Sequence, residues 1–229
     1  MTVTFIGDVH GWSVRLDAVL AQAEGDIVLM GDLIDRGPDA PGVLDRVRAG
    51  CAAGRMRCLL GNHEYALLRG IGAPTIGLEA DPRWFDLWRE RHGGACVLHS
   101  YRVADVRGLR RALGADLIAW LASLPWCMQG QGWIAVHAGM RPDLPLDAQL
   151  ALLADGWRNL REAPEHLYDK IHVRDVPPGM PEDCVLVSGH LPVPQPLVTA
   201  QRILCDTSGG LPGRKLSGVI WPEGRVITS

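Results

Sequence analysis

Short hydrophobic runs recur along this chain, and five of them share one pattern. Each run has about four residues of strand-forming type and stops at a polar cluster. The runs cover Val3–Ile6, 27–30, 56–60, Trp133–Val136 and 185–187. The clusters are Gly7-Asp8-Val9-His10-Gly11, Gly31-Asp32, Gly61-Asn62-His63-Glu64, His137-Ala138-Gly139 and Gly189-His190. Because ligands of open α/β folds bind at the carboxyl ends of strands, this pattern predicts a binding site at one sheet edge.

Helical periodicity fills the links between the first three predicted strands. Leu16, Val19, Leu20 and Ala23 fall at positions i, i+3, i+4 and i+7, which gives one apolar stripe. Residues 43–47 repeat this pattern between the second and third strands. Such short helical links are typical of βαβ crossovers, in which the two strands run parallel.

Two further helices are predicted between the third and fourth strands. The first covers about residues 82–92, with Asp81 as its N-cap and Gly93 at its end. The second covers about residues 109–124. Both belong to the segment 65–122, which we expect to form a helical cap or side layer.

The C-terminal part combines Pro-rich loops with strand-like runs. Strands are expected at Arg202–Leu204, 218–221 and Arg225–Thr228, and we expect them to form a small, partly antiparallel sheet that closes the second face. No internal repeat or linker is evident. Residues 1–229 are therefore expected to form one domain of the α/β class.

Composition and charge narrow the range of partners. The chain is 47% hydrophobic and 21% charged, as is usual for a folded globular protein. Its net charge of −3 gives no electrostatic reason to expect nucleic acid or a membrane surface as a partner. The N-terminus has no signal-peptide pattern, and the six cysteines contain no C-x-x-C pair. These features predict a cytoplasmic protein with reduced thiols.

The polar clusters supply a set of candidate metal ligands. Oxygen and nitrogen ligands of this kind suit first-row divalent metals better than calcium or magnesium. One Gly-Asp pair is usually a turn and a lone histidine is usually packed or exposed, so each cluster alone is weak. Their succession at about 25- to 30-residue intervals over the first three clusters is what indicates a metal site. The candidate ligands are Asp8, His10, Asp32, Asn62, His137 and His190.

The same clusters carry a family resemblance. Gly-Asp-x-His-Gly at 7–11, Gly-Asp-x-x-Asp-Arg-Gly at 31–37 and Gly-Asn-His-Glu at 61–64, followed by His137 and His190, resemble the phosphoprotein phosphatase family of calcineurin-like metallophosphoesterases. The bacterial and phage lambda-type serine/threonine phosphatases are the most similar branch. The resemblance implies a β-sandwich flanked by helices, with a dinuclear metal site at the strand C-terminal ends. Segment 65–122 matches no family motif.

Ligand roles follow from this resemblance. One metal would be held by Asp8, His10 and a bridging Asp32, and the other by Asp32 with three further ligands, Asn62, His137 and His190. The resemblance implies two divalent cations, with manganese expected and iron, zinc or nickel as alternatives. The implied chemistry is attack of a metal-bridging hydroxide on phosphorus, with the metals neutralising phosphoryl charge.

Further roles come from the residues beside the ligands. By resemblance, His63 is the general acid, Asp35 holds its other ring nitrogen, and Arg36 binds phosphoryl oxygens. Support of the ligand loops is the alternative role for His63 and Asp35, and an ordinary surface position is the alternative for Arg36. A second phosphate-binding arginine is expected, and we favour Arg174 over Arg158.

Some aromatic and imidazole side chains have no assigned chemistry. Trp12 is a candidate for the substrate mouth, whereas packing is the preferred role of Trp84 and Trp88. Four histidines outside the motifs are expected at exposed or hydrogen-bonded positions, namely His92, His99, His166 and His172.

Three functions are compatible with these residues. The first is hydrolysis of phosphomonoesters, with a phosphoprotein or a small phosphoester as substrate, by a serine/threonine protein phosphatase. The second is hydrolysis of dinucleoside polyphosphates of the diadenosine tetraphosphate type. The third is a non-catalytic binding module, which the intact ligand set disfavours because such a module is expected to have lost ligands.

Overall fold

The structure is a computed structural model, and it describes residues 1–159 and 164–229, apart from the side chains of residues 158 and 159. Two five-stranded sheets form a β-sandwich. The strands are β1 (Val3–Ile6), β2 (Asp26–Leu29), β3 (Met56–Cys58), β4 (Cys127–Gly130), β5 (Trp133–Val136), β6 (Val185–Ser188), β7 (Leu197–Val198), β8 (Arg202–Leu204), β9 (Ser217–Trp221) and β10 (Arg225–Thr228). The strand orders are β10-β9-β1-β2-β3 and β4-β5-β6-β8-β7.

Parallel pairing brings the carboxyl ends of the ligand-bearing strands to one edge. In the first sheet β1 pairs with β2 and β2 with β3, both in parallel, as the predicted βαβ crossovers require. The crossovers contain α1 (Ser13–Leu20) and α2 (Ala40–Ala52). In the second sheet β5 and β6 are also parallel. The five predicted ligand loops therefore leave the sandwich at its strand C-terminal ends.

The core between the sheets is made by alternate side chains of facing strands. Phe5 and Val28 come from the first sheet, and Trp133 and Val187 come from the second. Phe5 and Trp133 pack edge to face with ring centroids 5.3 Å apart. All four residues of β1, β5 and β6 are buried, which explains why these strands read as continuous hydrophobic runs rather than alternating ones.

The remaining helices follow β3 and β5. They are α3 (Asn62–Ile71), α4 (Pro82–Leu87), α5 (Ala95–Ser100), α6 (Val106–Ser123), α7 (Leu146–Asp155) and α8 (Glu165–Tyr168), with a π-helix at Trp88–His92. The helix predicted at 82–92 has the expected N-cap, because the Asp81 carboxylate accepts from the N–H of Arg83. It ends as expected at Gly93, which has φ +90°. Its second half is a π-helix, which the sequence pattern did not indicate.

The structure differs from the predicted pairing of the C-terminal strands and from the predicted start of one helix. The predicted C-terminal sheet is wrong, because β9 and β10 extend the first sheet beside β1 while β8 pairs in parallel with β6 in the second. A strand-like run identifies a strand but not its partner. The helix predicted at 109–124 begins at Val106, since the Asp105 carboxylate caps it by accepting from the N–H of Gly108 at 2.7 Å.

Two expectations about the chain as a whole can be compared with the structure. The six cysteines are free thiols, as predicted. Within residues 1–159 and 164–229, no helix is both long enough and apolar enough to cross a membrane.

Candidate metal centre

The six predicted ligands lie together at the edge of the sandwich where the strand C-terminal ends converge. Each is at least nine-tenths buried, although all six are polar or ionisable. Burial of such groups is unfavourable unless they are paired or coordinate a metal. The ligands and their exposed fractions are Asp8 at 1%, His10 at 0%, Asp32 at 2%, Asn62 at 5%, His137 at 0% and His190 at 8%.

Asp32 lies at the middle of this group. Its Oδ2 is 3.8 Å from Nε2 of His10 and 3.6 Å from Nε2 of His63, and its Oδ1 is 3.4 Å from Nε2 of His137. Two groups of potential ligand atoms, each within 4.8 Å of one another, therefore share Asp32. The second group is completed by His190. A carboxylate in this position can bridge two cations.

The other two predicted ligands join these groups. Both carboxylate oxygens of Asp8 accept from the backbone N–H of His190 at 3.1 Å, and Oδ2 lies 4.0 Å from Nε2 of His10. The amide oxygen of Asn62 lies 2.9 Å from Nε2 of His137 and 3.0 Å from Nδ1 of His190. Side chains from five loops thus converge on one small volume.

Backbone carbonyl groups orient two of the imidazole rings. Nδ1 of His10 donates to the carbonyl oxygen of Ile34 at 2.9 Å, and Nδ1 of His137 donates to that of Met30 at 2.7 Å. Nε2 of each ring is left to face the centre. A carbonyl that fixes the tautomer of a histidine in this way is the usual second layer of a metal site.

Backbone conformation marks the same loops. Six non-glycine residues in the described chain have positive φ, and five of them are predicted site residues. Such conformations cost roughly 1–3 kcal/mol each and persist where the surrounding structure enforces them, which is most often at functional sites. The five are His10, Asp32, Asp35, Arg36 and His190.

Two glycines allow ligand carboxylates to approach the backbone. A β-carbon at Gly61 would lie 2.1 Å from Oδ1 of Asp32, and one at Gly189 would lie 2.2 Å from Oδ1 of Asp8. Any side chain at either position would displace a carboxylate of the centre. The absence of a side chain at Gly61 and Gly189 therefore permits this close approach.

Electrostatic crowding in the centre fits divalent cations. Burial, together with Asp206 and Asp32, raises the pKa of Asp8 well above its usual value. Burial lowers the pKa of His137, but the neighbouring Asp32 and Asp8 outweigh it and raise that pKa to about 10. Nε2 of His190 is buried and has no hydrogen-bond partner among the described residues. Cations bound here would neutralise the carboxylates and give this nitrogen a partner.

His63 and Asp35 form a buried pair beside the centre. Nδ1 of His63 donates to Oδ2 of Asp35 at 2.6 Å, and Nε2 faces Asp32. The indole Nε1 of Trp88 donates to both oxygens of Asp35 at 3.0 Å. Burial lowers the pKa of His63 well below its usual value. An anion bound beside the ring would raise that pKa again, because it stabilises the imidazolium.

The Arg36 guanidinium lies against two imidazole nitrogens. Nη1 is 3.0 Å from Nε2 of His10 and donates to the carbonyl oxygen of Gly209 at 2.8 Å, while Nη2 is 3.0 Å from Nε2 of His63. A cation held by His10 would occupy that nitrogen and release Nη1. The planar guanidinium would then be available for two oxygens of a phosphoryl group.

Comparison with known proteins agrees with this geometry. A family model described as calcineurin-like phosphoesterase matches residues 1–210. The chain belongs to the calcineurin-like phosphoesterase family. The predicted family and the predicted sandwich fold are confirmed, and the two candidate ligand groups agree with a family that uses divalent metals. The narrower resemblance to serine/threonine phosphatases has no such support.

Individual relatives give a finer picture. A symmetrical bis(5'-nucleosyl)-tetraphosphatase from Ralstonia nicotianae is 31% identical over 160 residues, which cover 68% of this chain and 48% of the relative. One from Janthinobacterium is 32% identical over 159 residues, with 66% and 48% covered. The chain thus spans about half the length of the curated relatives it matches.

Solved structures show the same fold at low identity. A candidate diadenosine tetraphosphatase has a TM-score of 0.60 at 20% identity, with 100% of this chain and 92% of that chain covered. A protein serine/threonine phosphatase from Saccharomyces cerevisiae has a TM-score of 0.58 at 13% identity, with 100% and 79% covered. Both likenesses concern the fold alone.

Two residues with structural roles in this calcineurin-like site had no predicted role. The Glu64 carboxylate accepts from the backbone N–H groups of Asp32, Leu33, Ile34 and Gly61. Its place in the Gly-Asn-His-Glu motif was the available signal. Asp206 is buried beside Asp8 and accepts from the N–H groups of two loop residues through Oδ1. Its signal was the Asp-Thr pair near the chain end.

The cleft above the centre is lined by one histidine that had no predicted chemistry. This metal cleft has a volume of about 220 Å³. Nδ1 of His92 lies 3.5 Å from the carbonyl oxygen of Leu87, in agreement with the expected hydrogen-bonded position, and its ring also lines the cleft and packs edge-on against His63 at 5.1 Å. The cleft is lined by Asp32, Arg36, Asn62, His63, Arg91, His92, Tyr168, Lys170, His190 and Pro192.

The structure tests one of the two predicted second arginines. Arg174 is exposed and is absent from the described residues that line it. The side chain of Arg158 lies outside the described part of the chain. The structure therefore does not bring Arg174 together with the metal ligands, and the cations that line the outer part of the cleft are Arg91 and Lys170.

The remaining aromatic and imidazole residues differ in how they compare with their predicted roles. Trp12, the candidate for the substrate mouth, donates to the carbonyl oxygen of Gly210 at 2.9 Å and is not among the described residues that line the metal cleft. Trp84 packs edge-on against Tyr65 at 5.6 Å, as the packing interpretation predicted. Trp88 exceeds that interpretation, because it donates to Asp35. The last three histidines, each exposed or hydrogen-bonded, are His99, His166 and His172.

Proposed function

We propose that this chain is a metal-dependent hydrolase of dinucleoside polyphosphates. The observation that carries metal-dependent hydrolysis is the convergence of six buried candidate ligands on a shared Asp32, with His63 and Arg36 directly beside them. Family membership supports phosphoester hydrolysis, and the curated relatives support the dinucleoside polyphosphate class. The second function considered from the sequence is thereby preferred to the first.

The residues of the chain have distinct roles in this proposal. Asp8, His10 and Asp32 would hold one divalent cation, and Asp32 would share the second with Asn62, His137 and His190. When bound, the cations would lower the pKa of a water molecule and neutralise the phosphoryl oxygens. Manganese is the expected metal, with iron, zinc or nickel as alternatives.

His63 and Arg36 act on the phosphoryl group itself. His63 would donate the proton that the leaving oxygen requires, and Asp35 keeps its Nε2 pointing towards the cleft. Arg36, which already reaches the Nε2 atoms of His10 and His63, would bind two phosphoryl oxygens. Both residues contact the position of the reacting group, which distinguishes them from the residues that only support the loops.

A serine/threonine protein phosphatase is the alternative. It rests on the Asp-Arg-Gly and Gly-Asn-His-Glu motifs of the sequence and on the fold, which both branches share. The metal cleft favours neither alternative by its ligands alone, because the same centre serves both chemistries. The choice depends on how the cleft recognises the group next to the attacked phosphorus.

A substrate panel with product analysis tests this choice. Purified protein with added manganese would be incubated with diadenosine tetraphosphate, a phosphoserine peptide, a phosphothreonine peptide and p-nitrophenyl phosphate. We expect the tetraphosphate to be hydrolysed with the highest kcat/KM, into two molecules of ADP. Faster turnover of the phosphopeptides would establish the alternative instead. Metal-dependent turnover of none of the four would contradict hydrolase function altogether.

A further inference from the structure

Positive charge is concentrated on the outer side of the metal cleft. Arg91 belongs to the π-helix and Lys170 follows α8, so two separate parts of the chain place a cation on this cleft. Arg36 lies deeper, against His10 and His63. Asp32 is the one carboxylate among the described residues that line the cleft. The cleft thus presents three permanent cations to a bound anion.

We propose that Arg91 and Lys170 bind a second phosphoryl group of the substrate, the one adjacent to the phosphorus under attack. These two residues would then give the site its preference for polyphosphates over phosphomonoesters. The proposal rests on the proposed function and identifies the side chains that determine its substrate class.

The contacts of the three cationic side chains indicate which phosphoryl group each would bind. Arg36 donates to the carbonyl oxygen of Gly209 and reaches the Nε2 atoms of two histidines of the centre. It is therefore placed to bind the phosphoryl group that is attacked. Arg91 and Lys170 are exposed, and neither makes an ion pair with a described residue. Unpaired cations at the mouth of a cleft are available for an anionic ligand.

Arg89, on the same π-helix as Arg91, is neutralised by local ion pairs. Its guanidinium pairs with Asp86 at 3.2 Å and with Glu90 at 3.0 Å, and it does not line the cleft. Arg91, two residues further on, lines the cleft and forms no such pair with any residue that the structure describes. The segment therefore contains one arginine that is neutralised by local ion pairs and one that faces the cleft.

The size of the cleft also favours phosphoryl groups. Its volume of about 220 Å³ is below the roughly 300–1,000 Å³ that pockets for larger organic ligands occupy. A short run of phosphoryl groups fits such a space, while nucleosides would lie outside it. A phosphomonoester would leave Arg91 and Lys170 without an anionic partner. A polyphosphate supplies the additional negative charge that these two residues match.

Equilibrium binding of two matched, non-hydrolysable probes tests the proposal. Methylphosphonate carries one phosphonyl group and methylenediphosphonate carries two. Their affinities for manganese-loaded protein would be measured by calorimetry, and the bound metal would be quantified after each titration. The variants are the double substitution Arg91→Gln with Lys170→Gln, and Arg89→Gln as the matched control. Thermal unfolding of each variant establishes that it is folded.

We expect the native protein to prefer methylenediphosphonate, and we expect this preference to fall at least about tenfold in the double variant. Arg89→Gln should keep the native preference. A smaller fall in the double variant, or a native protein without any preference, would overturn the proposal. Because this measurement needs no turnover, it gives a result even if diadenosine tetraphosphate proves not to be a substrate. That second outcome would contradict only the proposed function.

Discussion

The indole nitrogen of Trp88 donates to both carboxylate oxygens of Asp35 at 3.0 Å, and this contact joins residues that are 53 positions apart. Asp35 in turn accepts from Nδ1 of His63 at 2.6 Å. Trp88 is fully buried and begins the π-helix, a distortion that often marks a functional site. The π-helix thereby orients, through Trp88 and Asp35, the imidazole of His63 that faces the metal centre.

Replacement of Trp88 should reduce turnover without removing metal. Trp88→Phe deletes the indole N–H and leaves Asp35 with one partner fewer, so the orientation of His63 is less well defined. We expect kcat to fall about tenfold, the usual scale for loss of an outer hydrogen bond at such a site. KM and the metal content should stay close to their native values. Steady-state kinetics and elemental analysis measure these quantities.

Trp84→Phe is the matched control for this substitution. Trp84 packs against Tyr65 from helix α4, whereas the side-chain hydrogen bonds to Asp35 come from His63 and Trp88. Its loss should affect stability without a selective effect on kcat. Equal losses of kcat in both variants would show that Trp88 acts by packing rather than by orienting Asp35.

Substitutions at Asp32 and His63 should separate metal binding from chemistry. Asp32→Asn removes the charge of the shared carboxylate, so we expect retention of both metals to weaken by more than about tenfold. His63→Asn should retain both metals and lower kcat by about 10²–10⁴-fold, the range for loss of a general acid. Metal content by elemental analysis and kcat at saturating substrate provide the two readings.

The exposed His99 offers a control for this pair. His99→Asn should change neither metal content nor kcat. If His63→Asn lost metal to the same extent as Asp32→Asn, then His63 would be a ligand rather than the proton donor, in keeping with its place in one of the two ligand groups.

Metal binding should release protons at neutral pH. Because the neighbouring Asp32 and Asp8 raise the pKa of His137 to about 10, its imidazole is protonated at neutral pH in the metal-free protein. A metal binds the deprotonated imidazole, so complex formation frees this proton and metal affinity rises with pH. Calorimetry in two buffers that differ in ionisation enthalpy counts the protons released.

The same pKa of His137 also determines how stability changes with pH in the metal-free chain. Because its folded-state pKa lies above the ordinary value of 6.5, His137 contributes stability that is fully present below that pH. The contribution is lost as the pH rises through about 10. Binding heats that are the same in both buffers would contradict protonation of His137 in the metal-free protein.

A methyl group at Gly189 should disrupt the centre by steric conflict alone. The added β-carbon of Gly189→Ala would lie 2.2 Å from Oδ1 of Asp8, which is buried and held by the His190 N–H. We expect metal affinity to fall at least about tenfold, as for a displaced ligand. Gly108→Ala, where the nearest atom is a side-chain carbon at 3.2 Å, is the control. Native metal affinity in Gly189→Ala would show that the Asp8 loop can shift freely.

The convergence of the six candidate ligands could be predicted from the sequence because each comes shortly after a hydrophobic strand. Parallel strands bring their carboxyl ends to one edge of the sheet. The parallel pairing of the first three strands therefore places Asp8, Asp32 and Asn62 close together. His137 and His190 follow β5 and β6 in the same way, although these belong to the second sheet. Local pattern and topology together determine these positions.

The outer parts of the site could not be predicted in this way. Trp88, Arg91 and Lys170 lie in segments that match no family motif, and their approach to the cleft depends on how the helices pack. A motif-based choice favoured Arg174 instead, which is exposed and is not among the described residues that line the cleft. Sequence patterns identify helices, whereas the side chains that a helix directs at a distant loop depend on packing angles.

The left-handed backbone conformations at His10, Asp32, Asp35, Arg36 and His190 have a consequence for engineering this protein. Glycine would adopt these conformations at lower conformational cost than the native residues. A selection for heat resistance alone would therefore enrich substitutions at these loops, and the most durable clones would be inert. Libraries designed to raise thermal stability should leave these five residues unchanged and vary exposed positions on the helices.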